Sequence, residues 1–191
     1  VIDVQVDFCP GGRLAVPDGD AVVPICNRLM AVHDHVVLTV DWHPPDHQSF
    51  ASVQGGEPYD VVQMPYGDQV LWPDHCVQGS PGAELHPDLD TSRARIIIRK
   101  GMNPAVDSYS AFFENDHTTP TGLHGALQEL GVTALTMVGL ATDFCVKYSA
   151  LDARRLGYDV TIVQEGVRGI DIDGSVAATL SQLTAAGVQL A

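Results

Sequence analysis

The sequence has little of several things, and each scarcity excludes a class of function. Lys and Arg number 10 against 24 Asp and Glu, a formal net charge of -14. That surplus of negative charge argues against nucleic acid or an anionic membrane surface as a partner and fits a small neutral or cationic substrate. No apolar run approaches the ~20 residues of a membrane span, and the opening residues carry no secretory-leader pattern. There are four cysteines, Cys9, Cys26, Cys76 and Cys145. They form no C-x-x-C pair and no disulfide-scaffold spacing, so the expected setting is reducing and cytoplasmic. The chain opens in a strand-like stretch without a Met, and a few upstream residues are expected. What is present is a 191-residue chain with 45% hydrophobic residues. That suffices for one globular domain over 1–191 with a sizeable core.

Along the chain, Val1 to Val6 reads as a first strand and is followed by a turn-rich loop from Asp7 to Gly19. A helix from about Ala21 to His33 presents Val22, Ile25, Leu29 and Val32 at helical spacing. Val36–Val40 is a second strand. From Asp41 to about Ser92 there is little periodicity and much Pro, Gly, His and Asp; so long an irregular stretch in a compact domain is usually functional. Arg95–Arg99 is a third strand, and a helix from about Thr121 ends at Gly131. Thr133–Val138 and Asp159–Val163 are further strands, Gly174 to Ala186 is a helix, and a short last strand lies near Val188. Strands alternating with helices, mostly without hairpin signals, predict an α/β domain with a parallel sheet.

The stretch Val138-Gly139-Leu140-Ala141-Thr142-Asp143-Phe144-Cys145-Val146 is where that pattern meets chemistry. An apolar strand ends at Gly139, and Thr142 or Asp143 is a candidate N-cap for a helix running through Lys147, Leu151 and Leu156. Cys145 then falls in the first helical turn. There the helix N-terminus favours a thiolate, and unpaired N–H groups can hold an oxyanion.

In a parallel sheet ligands lie beyond the carboxyl ends of the strands, and Asp41, Lys100 and Cys145 follow three of them. Asp3 lies inside the first strand. A carboxylate there is either a paired structural acid or a base with a raised pKa, and Lys100 is its candidate partner. Asp41-Trp42-His43 is a second constellation, because residues two apart in extended chain face one side and can offer an oxygen and a nitrogen to one ion. Such a set suits Zn, Fe or Mn. His47 and His75 are the candidate third ligands. His75 is preferred, since a proline and an aromatic fix its place in Leu71-Trp72-Pro73-Asp74-His75-Cys76.

Together with Asp3-Val4-Gln5-Val6-Asp7-Phe8-Cys9-Pro10-Gly11-Gly12, Arg99-Lys100-Gly101 and Asp107-Ser108-Tyr109-Ser110-Ala111-Phe112, these motifs resemble the nicotinamidases (pyrazinamidases) of the isochorismatase-like cysteine hydrolase superfamily. The resemblance spans essentially the whole chain. It implies a Rossmann-like three-layer α/β/α sandwich with a mostly parallel central sheet. It implies hydrolysis of nicotinamide to nicotinate and ammonia in NAD salvage, with pyrazinamide as a second substrate, and a triad of Asp3, Lys100 and Cys145. A divalent metal, zinc by preference over iron or manganese, would be held by Asp41, His43 and His75, with His47 as an extra ligand in some members. The backbone N–H groups of Ala141 and Cys145 would form the oxyanion hole, with a cis peptide before Ala141. Phe8, Trp72 and Tyr109 could wall a flat pyridine ring, while Phe50, Phe112 and Phe113 are assigned to core or loop packing. A homo-oligomer is compatible with the resemblance.

One departure concerns Val163-Gln164-Glu165-Gly166-Val167-Arg168-Gly169, where relatives often carry an acidic residue followed by Ala and Cys. That loop is expected to lie away from the motif residues and to leave the chemistry untouched. Two other readings stand beside the amidase: an amide or ureido hydrolase of the same superfamily acting on N-carbamoyl amino acids, and a non-catalytic metal-binding homologue.

Overall fold

The computed structural model describes residues 1–191. Seven strands and five helices alternate: α1 (Val23–Met30), β1 (Val36–Asp41), α2 (Ala51–Gln54), β2 (Val61–Met64), β3 (Gly67–Val70), β4 (Ala94–Lys100), α3 (Leu123–Glu129), β5 (Ala134–Leu140), α4 (Lys147–Arg155), β6 (Asp159–Arg168), α5 (Ser175–Ala185) and β7 (Gln189–Leu190). β1 pairs in parallel with β4, and β5, β6 and β7 form a second parallel ladder.

The N-terminal segment joins these two half-sheets. On one side Ile2 N donates to Val138 O and Leu140 N to Ile2 O; on the other Thr39 N donates to Val1 O and Asp3 N to Thr39 O. The spatial order is therefore β4, β1, the segment Val1–Asp3, β5, β6, β7. The sequence predicts a full strand over Val1 to Val6, but only isolated bridges form, a parallel one between Ile2 and Gly139 and an antiparallel one between Gln5 and Leu85. Asp3 is left-handed at φ 46°, which bends the chain out of the sheet, and Val6–Phe8 forms a 3-10 turn. Alternation of Val with polar residues could not reveal that bend. The Gln5 side chain replaces the lost ladder: its Nε2 donates to Asp41 O and its Oε1 accepts from Asp41 N.

Burial on both faces of the sheet creates two apolar clusters. Val22, Val23, Cys26 and Met30 pack with Leu38, Val138 and Leu140 on one face. On the other, Leu123, Leu127, Ala150, Ala153 and Leu183 pack with Met137, Val160 and Ile162. Adjacent residues Met137 and Val138 point to opposite clusters, as strand geometry requires, so helices cover both sides and the layers are α/β/α. The helical face expected around Val22, Ile25, Leu29 and Val32 is shifted: α1 ends at Met30, and Val32 is 75% exposed.

Within the irregular stretch of 41–92, β2 and β3 form an antiparallel hairpin closed by Pro65-Tyr66. The sequence reading has no hairpin here, because the turn lacks Asn-Gly or Gly-Gly and the strands are only four residues each.

Gly139 has φ +121°, and a Cβ there would lie 2.0 Å from Ile2 O. Gly139→Ala should open the seam between the half-sheets. A loss of at least ~3 kcal/mol is expected, which thermal unfolding would register as roughly 6–12 °C in Tm.

Candidate active site

β1 and β4 run side by side with Asp41 opposite Lys100 in register, so the ladder itself carries both groups to one carboxyl edge. Lys100 is fully buried, and its ammonium ion-pairs with Asp41 Oδ1, lies 2.8 Å from Asp3 Oδ2, donates to Ser108 O at 2.9 Å and sits 3.4 Å from Cys145 Sγ. The lysine thus touches both other members of the expected triad and one expected metal ligand. Thr39, two residues before Asp41 on the same side of β1, donates its hydroxyl to Asp3 Oδ1 at 2.5 Å. Asp3 Oδ2 accepts no well-directed hydrogen bond and retains a lone pair toward the site. Thr39 escapes the sequence reading, although a polar residue in an apolar strand was its available signal.

Burial raises the Asp3 pKa, and Asp41 adds to it, against the opposing pull of Lys100. Asp41 differs: burial would raise it, but Lys100 and the neighbouring histidines outweigh that and hold it well below the usual carboxylate range. Burial opposes charge on Lys100 too, yet Asp3 and Asp41 keep it protonated, with its pKa raised. Cys145 departs from expectation. Burial pushes its thiol well above the ordinary value, Asp41 and Asp3 reinforce that, and Lys100 only partly offsets it. The resting group is a thiol facing a carboxylate. The ligand atoms of Asp3, Asp41 and Cys145 all lie within 4.8 Å of one another.

Cys145 lies in a π-helical turn, Thr142–Val146, ahead of α4; such turns are rare and concentrate at functional sites. Neither Thr142 nor Asp143 caps it. Ala141 occupies the N-cap position in extended conformation, with no side-chain cap bond. The Leu140–Ala141 peptide is cis, and the Ala141 N–H makes no hydrogen bond within the chain.

Beside this cluster His43 Nδ1 faces Gly101 O at 2.9 Å and His75 Nδ1 faces Pro73 O at 2.8 Å. Carbonyl oxygens only accept, so both Nδ1 atoms carry the proton and both Nε2 atoms present lone pairs. Those Nε2 atoms lie 3.8 and 4.0 Å from Asp41 Oδ2, leaving one carboxylate oxygen and two imidazole nitrogens converging. This donor set fits a divalent ion of the zinc, iron or manganese type. His47 is different. Its Nδ1 lies 2.7 Å from Ser49 Oγ and 3.3 Å from Ser49 N, and its buried Nε2 has no hydrogen-bond partner. It groups with His43 and Asp107, not with Asp41 and His75.

Burial and the neighbouring His43 lower His75 to about 4. Burial would also lower His43, but Asp41 and Asp107 outweigh it and its pKa is raised. A proton on His43 would therefore compete with a metal as the pH falls.

Cys145, Asp41, His43 and His75 open onto one cleft walled by Phe8, Trp72, Tyr109, Phe144 and Ile170. The Tyr109 hydroxyl accepts from Trp72 Nε1 and Gln69 Nε2, which fixes two walls against each other. Phe50, read as packing, is fully buried with ring centroids 5.6 and 5.7 Å from His43 and His75, so its packing supports the ligands. Phe112 lies in the core as expected. Asp107, Phe144 and Ile170 were not singled out by sequence. The expectation that the stretch ending at Gly169 lies apart from the motifs fails at its end, since Gly169 abuts Asp143 and Ile170 lines the cleft. A roomier cavity under β1 and β5 is lined mainly by apolar side chains and holds none of these groups.

A family model described as the isochorismatase domain matches residues 1–191. The chain belongs to the isochorismatase family. Within that family it is 49% identical over 190 residues to a nicotinamidase of Acinetobacter baylyi, covering 99% of this chain and 89% of the relative. A solved nicotinamidase/pyrazinamidase of Acinetobacter baumanii superposes with TM-score 0.97 at 47% identity, over 99% of this chain and 92% of that one. A Pyrococcus horikoshii pyrazinamidase, solved in complex with zinc, matches with TM-score 0.81 at 33% identity, over 100% and 96% of the two chains. The isochorismatase-type fold and the α/β layers read from the sequence agree with these structures.

Zinc added to metal-free protein should raise Tm by mass action, by an amount equivalent to ~2.7 kcal/mol at a hundredfold excess over Kd. His75→Ala should abolish that rise. His47→Ala, which leaves the converging set intact, should retain most of it, and the rise should shrink as the pH falls and His43 takes up a proton.

Proposed function

We propose that this protein is an amidohydrolase that converts nicotinamide to nicotinate and ammonia, with pyrazinamide as a second substrate. The observation that carries the reading is the buried Lys100 ammonium contacting Asp3 and Cys145 beside a converging Asp41, His43 and His75 set. Identity of 49% to a nicotinamidase supports the choice of substrate.

An amide is a poor electrophile with a poor leaving group, so the attacking thiol, the developing oxyanion and the departing nitrogen all need help. Asp3, with its pKa raised by burial, accepts the Cys145 proton as Sγ attacks the carboxamide carbon. The Ala141 and Cys145 N–H groups receive the oxyanion. Asp3 then returns the proton to the leaving nitrogen, the C–N bond breaks, and ammonia departs from a thioester. In the second half Asp3 deprotonates water, the water oxygen displaces the thiolate, and nicotinate leaves with the thiol restored. Throughout, Lys100 stays charged and steadies whichever of Asp3 and Cys145 is anionic. A divalent ion held by Asp41, His43 and His75 would supply a Lewis-acid position for the ring nitrogen and favour pyridine over benzene carboxamides. Phe8, Trp72 and Tyr109 orient the flat ring. All four cysteines are free, which suits a reducing cytoplasmic setting, and no helix is long and apolar enough to cross a membrane.

Ammonia release from nicotinamide, pyrazinamide and an N-carbamoyl amino acid, measured in parallel, tests the assignment. Turnover of the first two is expected, and a preference for the third would move the protein to the ureido hydrolases.

Cys145→Ala should abolish turnover while leaving zinc binding intact. Residual activity within about tenfold of the parent, ~1.4 kcal/mol of transition-state stabilisation, would exclude covalent catalysis by this residue. Asp3→Asn keeps the shape but removes the basicity, so both thioester formation and its hydrolysis should fail.

A further inference from the structure

Asp143, two residues before Cys145, is a buried carboxylate without a catalytic contact. Its side chain leaves the π-helical turn and reaches the loop between β6 and α5. Oδ1 accepts from Ile170 N at 3.0 Å, while Oδ2 accepts from Asp171 N at 2.8 Å and from Ser175 Oγ at 2.5 Å. Three neutral donors thus converge on one anion. The connection they bracket is irregular, a 3-10 turn over Ile172–Gly174 with Asp171, Asp173 and Gly174 all left-handed, at φ 59°, 50° and 82°, and Asp171 in turn accepts from Val176 N. At its entrance a Cβ on Gly169 would lie 2.2 Å from Val176 Cγ2 and 3.1 Å from Asp143 Oδ1, so a side chain there would collide first with Val176 and crowd the carboxylate. The residue pinned directly by Oδ1 is Ile170, which lines the same cleft as Phe8, Trp72, Tyr109 and Phe144 and packs against the core cluster beneath it.

The geometry points to Asp143 as a positioning residue that ties the 169–175 loop to the nucleophile's own turn, and to Ile170 as the specificity-determining wall that this tie sets in place. The ligand class concerned is the substituted pyridine carboxamide. With Ile170 held down, the cleft fits an unsubstituted ring; with the loop released, space opens for an alkyl group on the ring. A hydrophobic wall discriminates by about 10–200-fold per methylene-sized change, so the effect is large enough to read in kinetics. This inference rests on the proposed amidase reading.

The test uses the full-length, zinc-loaded protein with nicotinamide and 5-methylnicotinamide, comparing the parent with Ile170→Ala, Asp143→Asn, Ser175→Ala and the double variant Ile170→Ala/Asp143→Asn. For Ile170→Ala, KM for nicotinamide should rise about tenfold with kcat within about twofold, and the kcat/KM ratio should shift about tenfold toward the methylated substrate. Asp143→Asn, which leaves one acceptor oxygen where there were two, should move KM and the ratio in the same direction. Ser175→Ala should do so to a smaller degree. Because Asp143 acts through Ile170, adding Asp143→Asn to Ile170→Ala should change KM by less than about twofold more. A fall in kcat for Asp143→Asn with KM and the ratio unmoved would overturn the proposal, as would effects that multiply in the double variant. If Asp143→Asn does not fold, Ser175→Ala combined with Ile170→Ala makes the same comparison. Failure of the parent to hydrolyse nicotinamide would instead refute the amidase reading. The tie would then be judged by hydrogen exchange at the Ile170 and Asp171 amides, which Ser175→Ala should accelerate; unchanged exchange would overturn the tie itself.

Discussion

One buried ammonium governs the arrangement of the site. Taking an ion out of water costs several kcal/mol even after relaxation, and removing one partner of a buried pair is worse because it strands a charge. Lys100 meets that demand with two carboxylates, a carbonyl oxygen and a sulfur. Two anions around one cation leave an excess of negative charge, and the two carboxylates carry it unequally. Asp41, close to Lys100 and the histidines, stays strongly acidic, while burial and the charge of Asp41 raise the pKa of Asp3, whose Oδ2 shares the same ammonium at 2.8 Å. Placing a second carboxylate near a lysine that already has one thus leaves one of the two with a raised pKa. Burial, reinforced by Asp41 and Asp3, pushes the Cys145 thiol up as well, which suits the proposal that its proton passes to Asp3 during the reaction.

Most of the chemistry was legible because it sits where a parallel sheet must put it. Asp41, Lys100 and Cys145 each close or follow a strand, and Asp-x-His marks two donors on one side of extended chain. Asp3 was legible as an anomaly, a charge inside an apolar strand. The misses have a common cause: they depend on contacts distant in sequence. Thr39 matters because Asp3 is its neighbour across the seam, Gln5 because it completes the backbone pairing of Asp41, and Asp143 because a loop 27 and 28 residues onward reaches back to it. Asp143 has the right residue type and position for an N-cap, and local propensity yielded to tertiary hydrogen bonding. The β2–β3 hairpin escaped for a different reason, since four-residue strands with a Pro-Tyr turn leave almost no periodic signal.

The metal candidates show how tautomers sort residues that composition cannot. His43, His47 and His75 are alike in sequence and all buried. Two face carbonyl oxygens through Nδ1 and so offer Nε2 lone pairs, while the third has the Ser49 hydroxyl 2.7 Å from its Nδ1. Neighbouring hydrogen-bonding groups set which ring nitrogen is left free. Prolines on either side of the key loops, Pro44 and Pro73 among them, hold that backbone in place.

The segment Val1–Asp3 hydrogen-bonds to β1 on one side and to β5 on the other, and this has a consequence for biosynthesis. On the ribosome the segment emerges well before its β5 partner, which follows more than a hundred residues later. Until then β1 and β4 can pair while one flank of the segment stays open, with Asp3 lacking the thiol it must face. Long-range closure of this kind is slow, and unpaired edges expose a chain to aggregation while it waits. The step that joins the two half-sheets is also the step that brings Asp3 beside Cys145, so nascent chains should complete the proposed site and gain full cooperativity in one event.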